Sequence, residues 1–168
     1  MNPKALHAIS YGLYVVAARK GDKINGQIAN TVFQITSKPP TLGVSINKEN
    51  YTHEFIKESR SFTVNVLDKG TGMVFIGRFG FKCGRDIDKF DGIKHRLSQL
   101  GNPILEENST SFLEVRVDKE IDVGTHTIFI GEVVDADIIS DGEPMTYAFY
   151  HLVKKGKAPK AAPTYIGG

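Results

Sequence analysis

The sequence predicts a mainly β fold with a few short helices, its strands closed into a barrel or doubled into a sandwich. Three observations lead there. Apolar residues alternate with polar ones in short runs, glycine- and proline-rich turns separate the runs, and helical patterns between successive runs are too few for a parallel doubly wound sheet. The first run carries Tyr11, Leu13, Val15 and Ala17 and ends at the turn Lys20-Gly21-Asp22. Val32 to Ile35 follow, then Lys38-Pro39-Pro40, then Leu42, Val44 and Ile46 at the two-residue spacing that puts side chains on one face of a strand. A short helix is expected over 52–59, with Phe55 and Ile56 on its apolar face and the side-chain oxygen of Asn50 or Thr52 as its N-cap.

Phe62, Val64 and Val66 make the next strand. Residues 70–79 read as a second helix weakened by Gly72 and Gly77, each costing about 1 kcal/mol in a helix interior. The charged, glycine-punctuated segment 80–92 is longer than a connector needs to be and so is a candidate functional loop. Leu113, Val115 and Val117 form a strand with Glu114 and Arg116 on its opposite face, and 125–139, with Ile128, Ile130 and Val134, forms another. Gly101-Asn102-Pro103 and Asp141-Gly142-Glu143-Pro144 are further turns. Residues 1–153 are expected to be one domain, and the Lys/Ala/Gly-rich 154–168 an arm or linker.

Composition narrows the function classes. With 40% hydrophobic and 24% charged residues, the 168-residue chain has globular composition. Its net charge of +2 is too small for the basic footprint that phosphate-backbone binding needs, so nucleic acid is not an expected partner. No apolar run reaches the roughly 18 residues of a membrane span, and the single Cys83 suits a reducing compartment. The expectation is a cytoplasmic protein with no membrane partner.

Two segments invite a ligand. In NGQIANTVFQITSKPP, Gly26 permits a close backbone approach, and Gln27, Asn30 and Thr31 set hydrogen-bonding groups among apolar neighbours. A strand with a solvated face explains the same residues. In SINKENYTHE a strand hands over to a helix, whose N-terminal N–H groups, with the Thr52 hydroxyl and Lys48 ammonium, suit a phosphate. Ordinary capping accounts for Asn50 and Thr52 equally well. The five histidines show no HExxH or i, i+4 pairing, so a metal is not expected. His126 opens a strand, where an imidazole can meet a ligand or simply face water. Cys83 lies beside Lys82 and Arg85, which favour a thiolate, although a lone cysteine is more often incidental.

Taken in order, NGQIANTVFQITSKPP, SINKENYTHEFI, FTVNVL, FGFKCGRDIDKFDG and GTHTIFIGEVVDA resemble the flavin reductase family of FMN-binding split β-barrel proteins, nearest its ferric reductase and flavoredoxin branch and the flavin domain of rubredoxin-fused chains. The resemblance runs from about Ile9 to Tyr165. It implies a homodimeric six-stranded Greek-key split β-barrel with FMN in a groove near the dimer interface. Gln27, Ala29, Asn30 and Thr31 would line the isoalloxazine and ribityl chain, followed by Ser45, Ile46 and Asn47, with Lys48 beside them. Asn50 and Thr52 would take the phosphate. His126 would approach the flavin or substrate as the catalytic residue, and the loop around Arg85 and Lys89 would flank the route of NADH or NADPH. The implied activity is hydride transfer from NAD(P)H to the flavin, with electrons leaving to ferric chelate, free flavin or a carrier protein such as rubredoxin. No rubredoxin-type iron site is expected here, because paired CxxC motifs are lacking. An electron-transfer flavoprotein reduced by a partner protein would share every FMN motif, and an oligonucleotide-binding barrel would share the fold. The loop 79–90 discriminates the first pair: an open cationic loop suits a dinucleotide, a flat docking surface suits a protein.

Overall fold

The computed structural model describes residues 1–165. After a 3-10 turn (Pro3–Ala8) the chain forms β1 (Tyr14–Lys20), β2 (Lys23–Ala29), β3 (Val32–Ser37), β4 (Pro40–Asn47), α1 (Tyr51–Ser59), β5 (Ser61–Leu67) and α2 (Met73–Phe81). Then come β6 (His95–Leu97), β7 (Pro103–Leu105), β8 (Ser109–Asp122), β9 (His126–Ile138) and α3 (Tyr147–Leu152). Seven strands join in one antiparallel sheet ordered β2-β1-β5-β8-β9-β4-β3, and β6 pairs with β7 alone.

The mainly β reading stands, but the sheet has seven strands where six were expected. The added strand is β2. Six runs show apolar alternation, whereas β2 carries Asn25, Gly26 and Gln27 at its centre and leaves no such signature. It is held instead by the two-residue turn Gly21-Asp22, with Gly21 at φ 58°, which sets Lys20 opposite Lys23. Edges β2 and β3 are joined only by Asn30 and Thr31 and have no ladder between them, so the barrel is split.

Val16, Ala18, Val44, Ile46, Phe62, Val64, Val115 and Phe129 fill the barrel, and Phe55 and Ile56 of α1 complete this core. The α1 start lies one residue earlier than expected. Asn50 occupies the N-cap position, but its side chain makes no capping bond. The alternate residues of β1, Val15 and Ala17, face a second core with Ile76 and Phe79 of α2, Phe90 and Tyr150. Gly72 is the N-cap of α2 rather than an interior residue, and the glycines inside the helix are Gly77 and, in its last turn, Gly80. No helix was expected at α3, yet the sequence holds its signal: Thr146 caps it by accepting from Phe149 N–H at 3.1 Å.

Glu114 does lie on the face opposite Leu113 and Val115, but that face is covered and Glu114 is 0% exposed. Beneath the β6–β7 hairpin sits a polar layer of Ser61, Thr63, Asn65, Asn102 and Glu114. The Thr63 hydroxyl donates to Pro103 O at 2.5 Å, while Asn65 Oδ1 accepts from Leu105 N–H at 2.8 Å and its Nδ2 donates to Val15 O at 3.2 Å. These bonds fix the hairpin to the barrel. Asn65→Ala leaves the buried Leu105 N–H without its acceptor and is expected to destabilise the fold by about 2–4 kcal/mol, read as a lowered denaturation midpoint with unchanged m-value.

Candidate functional site

A groove of about 210 Å³, open to solvent, lies along the split edge of the barrel. Its floor is Gln27, Ala29 and Asn30 of β2 with Ser45 and Asn47 of β4. One end is Glu49, Asn50 and the first turn of α1, Tyr51 and Thr52; the flank is Phe79 to Gly84. The other side is made by Tyr147 and Tyr150 and by residues 157–159 and 161–163.

Local sequence explains this placement. The close approach that Gly26 permits is to the protein itself: a Cβ there would stand 3.2 Å from Val15 Cγ1 and 3.4 Å from the Phe79 ring. Gly84 lets the loop rest on Asn25, whose Oδ1 a Cβ would strike at 2.0 Å. Asn25, which sequence reasoning passed over, donates from Nδ2 to Thr52 Oγ1 at 2.8 Å and fixes that hydroxyl, so both residues are buried. Gln27 Oε1 is shielded from solvent and has no partner among the described residues.

Of the residues singled out from the sequence, Gln27, Ala29, Asn30, Ser45, Asn47, Asn50, Thr52 and Lys89 line the groove. Others turn away. Ile46 is 0% exposed in the barrel core, and Lys48 Nζ pairs with Asp122 at 2.6 Å, holding that carboxyl below its usual range. Thr31 bonds Asn30 Oδ1 at 3.0 Å, and its carbonyl accepts from Ser45 N–H. His126 stands opposite Asn47 in the β4–β9 ladder, outside the lining, with Nδ1 2.8 Å from Thr125 Oγ1 and a shielded Nε2 that has no partner among the described residues.

The expected cationic loop is largely spent. The Arg85 guanidinium pairs with Glu54 and lies 4.5 Å from the centroid of the Tyr51 ring, on the outer flank of α1. Lys89 is not an open loop cation: it is 5% exposed and donates to Gly26 O at 2.9 Å and Phe79 O at 3.1 Å. Lys82 also lines the groove and has neither an ion pair nor a carbonyl partner like those of Lys89 among the described residues. Cys83 also lines it, with Sγ 3.5 Å from Arg85 N and 3.8 Å from its guanidinium. Among the described residues no cluster of metal-ligating side chains occurs, and no helix is long and apolar enough to cross a membrane.

A split antiparallel barrel with an amide- and hydroxyl-lined groove at its open seam is a small-ligand-binding barrel. The chain belongs to the flavin reductase like domain family, whose model matches residues 6–156. It is 54% identical over 168 residues to a high molecular weight rubredoxin of Moorella thermoacetica, covering all of this chain and 73% of that protein. It is 50% identical over 166 residues to a ferric-chelate reductase (NAD(P)H) of Archaeoglobus fulgidus, covering 99% and 98% of the two chains. Among solved structures, the flavin reductase HpaC complexed with NADP+ superposes with TM-score 0.74 at 27% identity, covering 86% of this chain and 89% of that one. Flavoredoxin from Methanosarcina acetivorans gives TM-score 0.69 at 30% identity, covering 76% and 68%. This membership makes the protein an oxidoreductase of the flavin reductase type.

Burial pushes the Lys89 ammonium down to about 8 from its ordinary 10.5. Between those values the unfolded chain holds more protons than the folded one, so Lys89 makes stability rise with pH from about 8 to about 10.5. Comparing wild type with Lys89→Met by denaturant titration over this window isolates the effect. The wild type is expected to gain about 3 kcal/mol relative to the variant as pH rises.

Proposed function

We propose that this protein binds FMN in the groove and passes electrons from NADH or NADPH to an external acceptor such as ferric chelate, free flavin or an electron-carrier protein. The observation that carries the reading is the donor set: neutral amides and hydroxyls line the floor and, among the described residues, Gln27 presents a buried oxygen without a partner and the N-terminus of α1 has no side-chain cap. Such a set fits a flat heteroaromatic ring with an attached phosphate. Bound FMN would supply the two-electron redox chemistry that these side chains lack.

The chain's own groups do the rest. Gln27 Oε1 accepts from a ring N–H, and Ser45 offers a hydroxyl beside it. Asn50 and Thr52, at the positive end of the α1 dipole, hold the phosphate. Lys82 offers a charge to a dinucleotide at the rim. His126, beyond the lining, orients an incoming reductant or acceptor rather than exchanging a proton with the ring. Relatives support both the nicotinamide reductant and the carrier: one is a ferric-chelate reductase (NAD(P)H), another a high molecular weight rubredoxin. Pairing of Arg85 and burial of Lys89 leave the loop with little free positive charge, which favours as a second reading a flavoredoxin-like protein reduced by a protein partner.

A homodimer accords with the sheet's outer face. There Phe33, 44% exposed, covers Gly43, which pairs with Ile130; alongside, Ile128 pairs with Ile121, which is 48% exposed. This apolar strip borders Ser45 and Asn47, so a two-fold partner seated on it would reach the groove rim.

Anaerobic mixing of the FMN-loaded protein with NADH, then with NADPH, tests the reaction. Bleaching by at least one is expected, and Thr52→Ala should weaken FMN binding by roughly 10- to 150-fold through loss of a charged-group hydrogen bond. Failure of both nicotinamides to bleach the flavin would hand the role to the partner-reduced carrier. For the dimer, light scattering should give twice the chain mass for wild type and a monomer mass for Phe33→Asp, which places a charge in the strip.

A further inference from the structure

Residues 157–164 do not extend into solvent as a linker would; they cross the groove. At one end Tyr150 Oη donates to Lys157 O at 3.0 Å, and Gly156 N–H donates to Tyr150 O at 3.0 Å. At the other the Thr164 hydroxyl lies 2.9 Å from Tyr147 Oη and accepts from Asn30 Nδ2 at 2.8 Å. Between these anchors Asn47 Nδ2 donates to Ala161 O at 3.3 Å. The segment is therefore pinned at both ends to α3 tyrosines and at two points to the groove floor. It touches the groove with Ala158, Pro159, Ala161, Ala162 and Pro163, a surface of small apolar groups stiffened by two prolines.

We infer that this segment is a strap forming the roof of the flavin site, and that it makes FMN a retained prosthetic group instead of an exchanged substrate. The inference rests on the FMN reading above and adds to it the means of retention. Two features carry it. A volume of about 210 Å³ stays open beneath the strap, so the strap bounds the space and does not fill it. The strap also lies past residue 156, where the match to the family model ends, while the 54%- and 50%-identical relatives align across it. Its Ala and Pro faces give an aromatic ring a second apolar wall opposite β2 and β4. Release of the ring then requires the anchors to break first, and Thr164, bonded to Asn30 and Tyr147 at once, is the positioning residue that holds the far end.

Release of FMN from the loaded protein, followed by recovery of flavin fluorescence after dilution, tests the strap. Thr164→Val removes both hydroxyl contacts and is expected to speed release by roughly 3- to 30-fold, while Thr164→Ser restores the hydroxyl and the slow rate. A chain ending at Gly156, checked for folding by its thermal melt, should release FMN faster still. Equal rates in full-length protein, Thr164→Val and the shortened chain overturn the proposal, and so does slower release without the strap, which would make it a competitor for the site. If no form binds FMN, the functional reading itself fails, a result distinct from binding with equal release rates.

Discussion

The barrel stops one pairing short of closure, and the site depends on that gap. Asn30 and Thr31 carry the chain from edge β2 to edge β3 without a ladder between them. Backbone and side-chain polar groups at an open seam must find partners or water. Here they find them by several routes: Thr31 O accepts from Ser45 N–H, Asn30 and Asn47 bond the C-terminal strap, and Asn25 bonds Thr52. The Gln27 oxygen finds none among the described residues, and this shielded acceptor gives the groove its chemical direction.

Much of this was legible in the sequence, for identifiable reasons. Strands that carry an apolar side chain at every second position announce themselves by alternation, whether or not the other face is covered, and β4, β5, β8 and β9 are of this kind. The α1 start was legible to within one residue from Asn50 and the apolar pair Phe55 and Ile56, although the expected side-chain cap is not made. What stayed hidden depends on contacts distant in sequence. Lys89 reads as one more loop cation until the fold brings it under Gly26 and Phe79, 63 and 10 residues away. Glu114 reads as solvent-facing until the β6–β7 hairpin covers it. Residues 154–165 read as a linker because nothing local predicts that Thr164 meets Asn30 across 134 residues. Residues 166–168 of the expected arm lie outside the described residues.

The electrostatics of the site follow from the same long-range packing. A loop with Lys82, Arg85 and Lys89 looks strongly cationic on paper. In the fold, Glu54 neutralises Arg85, and two carbonyls absorb Lys89. What remains at the groove is Lys82 and Glu49 in the lining together with oriented amides and the α1 dipole, which discriminate by shape and hydrogen-bond direction as well as by charge. That balance suits a ligand that is neutral along its ring and anionic at one end.

β9 serves two masters at once. Thr127, Phe129 and Gly131 point inward, Ile128 and Ile130 outward, and Gly131 sits where a Cβ would strike Arg116 O at 2.0 Å. A one-residue insertion or deletion near its start would rotate every side chain to the other face. The phenylalanine would leave the core as the isoleucines entered it, and a bulkier residue would be forced against the Arg116 carbonyl. Register therefore constrains the length of this strand more than its composition, and a change of length fits best in the exposed turn 122–125, where Gly124 itself, at φ 82°, has to remain glycine.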